Sequence, residues 1–246
     1  MSEYNPLYKF NKYKPRLENL EGPKKTYNLF KNSKMEQIEY PEIKLDYQFN
    51  QYGFRTSDWT DNKEECYVAI GSSDTFGFGI PEEDRWSNLI EKHTGVTVYN
   101  LGYNGGSADT VTRLAMGWLH EIRPTKVFTS WPPNNRWECA KSNAAGDKNV
   151  KIHMPAIIYN NIDKTPRPGW FKYCLSYLGE DFNSEINTKR NIHTMKGLCR
   201  ELYMECYSLE YDVHRDIDVN KSRDGRHNGQ LYHRAIADEF ISLLDK

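Results

Sequence analysis

Short apolar runs and amphipathic segments alternate along most of this chain. Three of the runs follow one another closely, and we predict that each is a strand: CYVAIG (66–71), VTVYNL (96–101) and KVFTSW (126–131). Apolar residues at helical spacing lie between them. Strands that are joined by helices of this length form βαβ units, whose strands run parallel in one sheet. The sequence therefore predicts an α/β fold.

The same alternation continues towards the C-terminus. A helical pattern covers about 185–205, a fourth apolar run follows at 206–211, and a last amphipathic helix carries Tyr232, Ile236 and Phe240. Residues 140–183 have no clear period and contain three prolines, so we interpret them as an insertion that could cover a site. A chain of 246 residues is long enough for an α/β domain with such an insertion.

The first 45 residues differ from the rest in composition. They are polar, their basic and aromatic side chains are interleaved, and four prolines exclude long helices. We therefore divide the chain into an N-terminal arm, 1–45, and a domain, 46–246. Such an arm could bind RNA or single-stranded DNA, but it more often wraps its own domain or docks on a partner subunit. The formal net charge of -1 favours no nucleic-acid partner.

At the start of the domain, Tyr47 and Phe49 alternate as strand residues do, and residues 50–53 predict a turn. Arg55 follows this turn. It could anchor a substrate carboxylate, but a structural salt bridge is the more common role for an arginine so close to a core strand.

Composition also bears on the cellular compartment. The five cysteines include no C-x-x-C pair, which is typical of reduced thiols. The N-terminus lacks the apolar core of a signal peptide, and no stretch approaches the ~18 apolar residues of a membrane span. We expect a cytoplasmic protein without a membrane partner.

The first apolar run ends in a turn that carries two hydroxyl groups. Gly71 follows the run, and Ser72, Ser73, Asp74 and Thr75 come next. A turn from strand to helix would place a serine at the carboxyl edge of the sheet, facing the partial positive charge of a helix N-terminus. Taken alone, the pattern is more typical of an ordinary glycine-rich turn with serine caps.

Further polar groups follow the other predicted strands and precede the last helix. A glycine-rich turn with Gly105 follows the second strand, and Asn134 and Asn135 follow the third. Asp224 precedes His227 by three residues in a late loop. Because the carboxyl ends of parallel strands meet at one edge, these groups could provide a serine nucleophile with a base, an orienting acid and oxyanion donors. Each group alone is more often a turn residue or part of a solvated loop.

Four blocks of the sequence together resemble the SGNH (GDSL-type) hydrolase family of serine esterases. The blocks are Gly71–Gly77, Asn100–Gly105, Pro132–Asn135 and Asp224–Gly229. The resemblance implies a three-layer α/β/α sandwich with a mostly parallel, flavodoxin-like sheet. It also implies Ser73 as the nucleophile, His227 as the base and Asp224 as the residue that orients His227. The amides of Ser73 and Gly105 and the side chain of Asn134 would form the oxyanion hole.

The sequence departs from the family's pattern in two blocks. Ser72 stands where the family has Asp, which leaves two candidate hydroxyls at the turn. Pro132 stands where the family has Gly, and Asn135 where it has Asp, so Asn135 is the alternative side-chain donor.

These patterns predict an esterase that cleaves an acetyl or short acyl group, possibly from a carbohydrate, by way of an acyl-enzyme. We expect a small ester or an acylated glycan as substrate, and no cofactor or metal. Two alternatives stay open at this point. One is an acyltransferase of the same fold, and the other is a non-catalytic binding or assembly protein that uses its N-terminal arm.

Overall fold

Four parallel strands form the central sheet of the computed structural model, which describes residues 47–59, 65–142, 150–153, 181–211, 222 and 227–246. The strands of this sheet are β1 (Cys66–Gly71), β2 (Thr97–Gly102), β3 (Lys126–Ser130) and β6 (Glu205–Leu209). The helices are α1 (Ser73–Phe76), α2 (Trp86–Thr94), α3 (Ala108–Ile122), α4 (Asp181–Glu201) and α5 (Gln230–Leu244), with a 3-10 turn at Glu82–Asp84. The sequence predicted all four strands and the four longer helices to within a few residues.

The order of the strands across the sheet is β2-β1-β3-β6. Val68 of β1, for example, lies between Tyr99 of β2 and Val127 of β3. The chain thus leaves β1 for a neighbour on one side and then crosses to the neighbour on the other side. Ligands of open α/β sheets bind at such a reversal, outside the carboxyl ends of the strands. The end of β1 is therefore the favoured position for a site.

Helices cover both faces of the sheet, which confirms the predicted three-layer sandwich. Val68 and Ile70 of β1 pack in one core with α3 and α4, whereas Tyr67 and Ala69 pack in a second core with α2 and α5. Side chains alternate between the two faces of a strand, so a strand that is buried on both sides must be apolar throughout. This is why the first run reads as continuously hydrophobic.

Two helix ends follow the signals in the sequence. Ser107 caps α3 by accepting a hydrogen bond from the Thr110 amide, while the Ser107 amide donates to Thr110 Oγ1 at 3.2 Å. Asp109 lies in the first turn of α3. Gly95 ends α2 in the left-handed conformation, with φ 71°, as glycine after a helix commonly does.

Other expectations were wrong or lie outside the described residues. Residues 47–50 form no strand, whereas the turn at 50–53 is present, with the Gly53 amide donating to the Asn50 carbonyl at 3.0 Å. Within and beside the predicted insertion, β4 (Cys139–Ser142) and β5 (Val150–His153) form a two-stranded antiparallel ribbon that the sequence did not reveal. The arm, 1–45, and most of 140–183 lie outside the described residues.

In the ranges that the structure describes, no helix combines the length and the apolar character that crossing a membrane requires.

Candidate active site

The turn after β1 places Ser73 at the first position of α1. Ser72 precedes the helix, and both serines are buried. The Gly77 amide donates to the Ser73 carbonyl at 3.0 Å, and Gly77 has a φ of 74° that favours glycine. The helix is therefore one turn long, and the longer helix that the sequence led us to expect begins only at Trp86. With so few aligned peptides, α1 supplies little helix dipole.

Two glycines let α1 pack directly on the ends of β1 and β2. A Cβ at Gly71 would lie 2.1 Å from Thr75 Oγ1, and one at Gly102 would lie 2.1 Å from the Phe76 amide nitrogen. The Tyr103 amide also donates to the Gly71 carbonyl at 3.0 Å. The position of the Ser73 turn is thus fixed by close backbone packing, which any side chain at Gly102 would disrupt.

Asn100 connects β2 to the same turn. Its Nδ2 donates to the Thr75 carbonyl at 2.6 Å and to Ser87 Oγ at 3.0 Å, and its Oδ1 accepts from the Gly102 amide at 2.8 Å. Asn100 is fully buried, so these bonds satisfy all but one of the hydrogen-bonding positions of its amide group. Asn100 is the polar residue within the apolar run VTVYNL, which was the signal in the sequence for this supporting role.

Two buried arginines support the far end of α1. Arg55 donates to the carbonyls of Phe76, Gly77 and Ile80, and Arg85 donates to the Arg55 carbonyl at 2.6 Å. Burial lowers the pKa of Arg55 to about 9 and that of Arg85 to about 10, and Arg85 further lowers the pKa of Arg55. Arg55 is 1% exposed, so it cannot anchor a substrate carboxylate. Arg55 therefore has a structural role. Its hydrogen bonds within the described residues go to main-chain carbonyls, and not to the carboxylate that a salt bridge would require.

The turn that follows β2 carries the second predicted oxyanion donor. Gly105 has a φ of 76°, and no heavy atom lies within 4 Å of the position that a Cβ would occupy. The next residue contacts the loop after β3, since Arg136 donates to the Gly106 carbonyl at 3.4 Å. Burial lowers the pKa of Arg136, while the nearby Asp74 opposes this shift. Arg136 thus lies between the turn that contains Ser73 and the turn that contains Gly105.

The two candidate side-chain donors, Asn134 and Asn135, are both exposed in the loop that follows β3. This loop is fixed to α3 by Glu138, whose carboxylate accepts from Arg113 at 2.6 and 3.0 Å and from Thr110 Oγ1 at 2.7 Å. Exposure does not distinguish Asn134 from Asn135, so the choice between them stays a prediction.

His227 lies beside the turn that contains Ser73. Its ring centroid is 4.8 Å from that of Phe78, and the Phe78 amide donates to the Ser73 carbonyl at 3.2 Å. The ring is partly buried, as a base that meets both a nucleophile and a substrate must be. Asp224, which we predicted to orient His227, lies outside the described residues.

A second histidine in α5 is buried and has a different role. His233 Nδ1 accepts a hydrogen bond from the Trp86 amide at 3.2 Å. Burial, with the positive charges of Arg85 and Arg55, lowers the pKa of His233 to about 3. His233 is therefore neutral near pH 7 and joins α5 to the start of α2.

Ser73, Gly105, Asn134 and Asn135 thus follow the carboxyl ends of three adjacent strands, and His227 contacts the turn that contains Ser73. This arrangement can place a serine hydroxyl, an imidazole and amide donors at one edge of the sheet. The individual roles of these residues remain predictions.

Comparison with known proteins gives similarity to solved structures alone. No family model matches the chain, and no curated protein matches it. The esterase EstA from Pseudoalteromonas sp. is 12% identical, with a TM-score of 0.38, over 74% of this chain and 97% of that one. A lipolytic protein of the G-D-S-L family from Veillonella parvula has the same identity and TM-score, over 74% and 100%. A lipase/acylhydrolase from Enterococcus faecalis is 14% identical, with a TM-score of 0.37, over 74% and 95%. Similarity at this level does not identify the activity of this chain.

Proposed function

We propose that this protein is a serine hydrolase of the SGNH type that cleaves a carboxylic ester through an acyl-enzyme. The observation that carries the proposal is the position of Ser73. Ser73 begins a one-turn helix at the carboxyl end of β1, and the order of the strands reverses beside β1. The ring of His227 packs on Phe78, which follows this helix. Reactive groups of open α/β sheets are expected at this position.

In the proposed reaction, Ser73 Oγ attacks the ester carbonyl while His227 accepts the serine proton. Asp224 orients the imidazole and stabilises its charged form. The amides of Ser73 and Gly105 and the side chain of Asn134 (or Asn135) donate to the developing oxyanion. His227 then gives the proton to the departing alcohol, and a water molecule hydrolyses the acyl-enzyme with His227 as base.

We further propose that the acyl group is acetyl or another short acyl group and that the alcohol is polar, such as a carbohydrate hydroxyl. If an acceptor alcohol replaces water in the second step, the same groups catalyse acyl transfer. The two reactions differ in their products: the hydrolase releases the free acid, whereas the transferase forms a new ester.

The test is the hydrolysis of 4-nitrophenyl acetate by the wild type and by matched variants. We expect Ser73→Ala and His227→Ala to lower kcat/KM by roughly 10⁴-fold or more, because both groups act in the same step. Ser72→Ala is the control for Ser73→Ala, since it removes the neighbouring buried hydroxyl and should retain activity. Activity that survives Ser73→Ala but is lost in Ser72→Ala would move the nucleophile to Ser72.

The same assay assigns the side-chain donor. Loss of an oxyanion donor lowers kcat by about 10²–10³-fold, so only one of the variants Asn134→Ala and Asn135→Ala should show this loss. A protein that turns over no ester of a broad panel would contradict the proposed function.

A further inference from the structure

A cavity of about 320 Å³ opens beside the proposed oxyanion hole. It lies between the carboxyl ends of β3 and β6 and the first half of α4. Its walls come from Trp131, Pro132, Asn134, Glu185, Thr188, Lys189, Glu210 and Tyr211. Small-molecule sites usually measure about 300–1,000 Å³, so this cavity has room for one compact unit of a ligand.

The side chains around this cavity are charged and aromatic. Lys189 forms an ion pair with Glu185, and the carboxylates of Glu185 and Glu210 raise the pKa of Lys189. Two carboxylates and one ammonium leave one net negative charge at the cavity. An acyl chain here would cover charged groups and remove their water, which is unfavourable. The hydroxyls of a polyol can instead donate to the carboxylates.

Two aromatic residues, Trp131 and Tyr211, also line the cavity. Trp131 is held in place, since its Nε1 donates to Ser208 Oγ at 2.7 Å and its amide donates to the Leu209 carbonyl at 3.0 Å. Tyr211, on the β6 side, is only partly buried. An amphipathic ring such as a sugar has C–H groups that pack on aromatic side chains and hydroxyls that bind carboxylates and amides. Tyr211 is the aromatic partner that the cavity offers, whereas Trp131 is only 2% exposed and forms a fixed floor. The carboxylates and the Asn134 amide are the partners for hydroxyls.

One wall residue has a hydrogen-bonding group without a partner. In the parts of the chain that the structure describes, Thr188 Oγ1 is buried and forms no hydrogen bond. A buried hydroxyl in this state is unfavourable, because it has lost its hydrogen bonds to water. Threonine in a helix has two common χ1 rotamers, and exchange between them would redirect this hydroxyl, so that it could bind a polar ligand.

We propose that this cavity binds the alcohol part of the substrate, and that this alcohol is a neutral or amino sugar rather than an anionic one. The inference rests on the proposed function, in which Asn134 lies next to the reacting carbonyl. Because Asn134 also lines the cavity, a sugar held there lies next to the residue that we propose as an oxyanion donor. The net negative charge disfavours uronates and sugar phosphates.

The test combines binding with turnover, so that failure of the cavity and failure of the proposed function give different results. Binding is measured by NMR titration of the protein with methyl α-glucopyranoside and with methyl α-glucuronide. Turnover is measured with methyl 6-O-acetyl-α-glucopyranoside and with 4-nitrophenyl acetate. The variant is Glu210→Ala, and the matched control is Glu201→Ala, which removes an exposed glutamate at the far end of α4.

We expect the glucoside to bind more tightly than the glucuronide. Glu210→Ala should weaken glucoside binding about tenfold or more, because it removes a charged hydrogen-bond acceptor. The variant should lower kcat/KM for the sugar ester about tenfold relative to that for the aryl ester, mainly through KM. Glu201→Ala should change neither ratio.

Absence of glucoside binding, tighter binding of the glucuronide, or an equal effect of Glu201→Ala would overturn the inference. If glucoside binding depends on Glu210 but neither ester is cleaved, the cavity stands as a sugar site and the proposed function falls. If the aryl ester is cleaved but Glu210→Ala leaves the preference between the esters unchanged, the proposed function stands and the inference falls.

Discussion

At the scale of single residues, the candidate site depends on close backbone contacts around one turn of helix. The contact at Gly102 is especially close, because a Cβ there would meet only backbone atoms of Thr75 and Phe76 and no flexible side chain. Asn100 holds the same turn through the Thr75 carbonyl. Ser73 is thus positioned by neighbours that have no part in the chemistry.

A pair of glycine substitutions tests this account of the turn. Gly102→Ala should lower the free energy of unfolding by about 3 kcal/mol or more, because the backbone of Phe76 must shift. It should also lower ester turnover about 10²-fold, since small displacements of reacting groups are costly. Both effects are measured by urea unfolding and by the 4-nitrophenyl acetate assay.

The control is Gly197→Ala in α4, where no atom lies within 4 Å of the new Cβ. It should stabilise the protein by about 0.5–1 kcal/mol, because alanine favours a helix over glycine. Equal stability of the two variants would contradict the packing of α1 on β2.

The positions of the candidate site residues were easier to predict from the sequence than the contacts of the residues that hold them in place. Ser73, Gly105 and Asn134 each follow a predicted strand, so their location at one edge follows from the parallel pairing alone. The contacts of Asn100, Arg55 and Arg85 depend on which carbonyls face the core after folding. Periodicity carries no such information, which is why Arg55 was expected to form a salt bridge.

At the scale of elements, the last helix is joined to α2 by one buried imidazole. His233 Nδ1 can accept the hydrogen bond from the Trp86 amide only while Nδ1 is unprotonated. Its folded-state pKa of about 3 lies below the value of about 6.5 for a free histidine. Between these two values the unfolded chain takes up a proton at this position and the folded chain does not.

Stability should therefore fall as the pH drops below about 6.5, by up to ~1.4 kcal/mol per pH unit from this group. His233→Asn keeps an acceptor and removes the titrating group, so its loss of stability between pH 6.5 and 4.5 should be shallower than that of the wild type. Urea unfolding at several pH values measures the slopes. His193→Asn, which replaces an exposed histidine in α4, should leave the slope unchanged. The same slope in wild type and His233→Asn would exclude this linkage.

The longer helices and the strands of the central sheet were predicted well, whereas the one-turn helix and the two-stranded ribbon were not. The helices α2, α3 and α5 show clear apolar faces, and Ser107 and Gly95 mark helix ends with local signals. The one-turn helix α1 and the ribbon of β4 and β5 are too short for a period to be recognised. Tyr47 and Phe49 alternate because they pack on Phe76, not because they form a strand.

At the scale of the whole molecule, the parallel sheet follows from the alternation of strands and helices, but the order of its strands does not. The strands β1, β2 and β3 are buried along almost their whole length, so their pattern does not reveal which strands are neighbours. The order β2-β1-β3-β6 places the reversal beside β1. Because of this order, Ser73 at the end of β1 lies where open α/β sheets bind their ligands. No single motif in the sequence carries that information.

The central claim is that Ser73 is a catalytic nucleophile. The most direct measurement is covalent labelling of the wild-type protein by a fluorophosphonate, with the modified residue mapped by peptide mass spectrometry. An activated serine reacts with the phosphorus atom and displaces fluoride, whereas an ordinary buried hydroxyl does not. We predict one label per chain, on Ser73, which is lost in Ser73→Ala and in His227→Ala and retained in Ser72→Ala. A chain that takes up no label, or takes it up at another residue, would contradict the account.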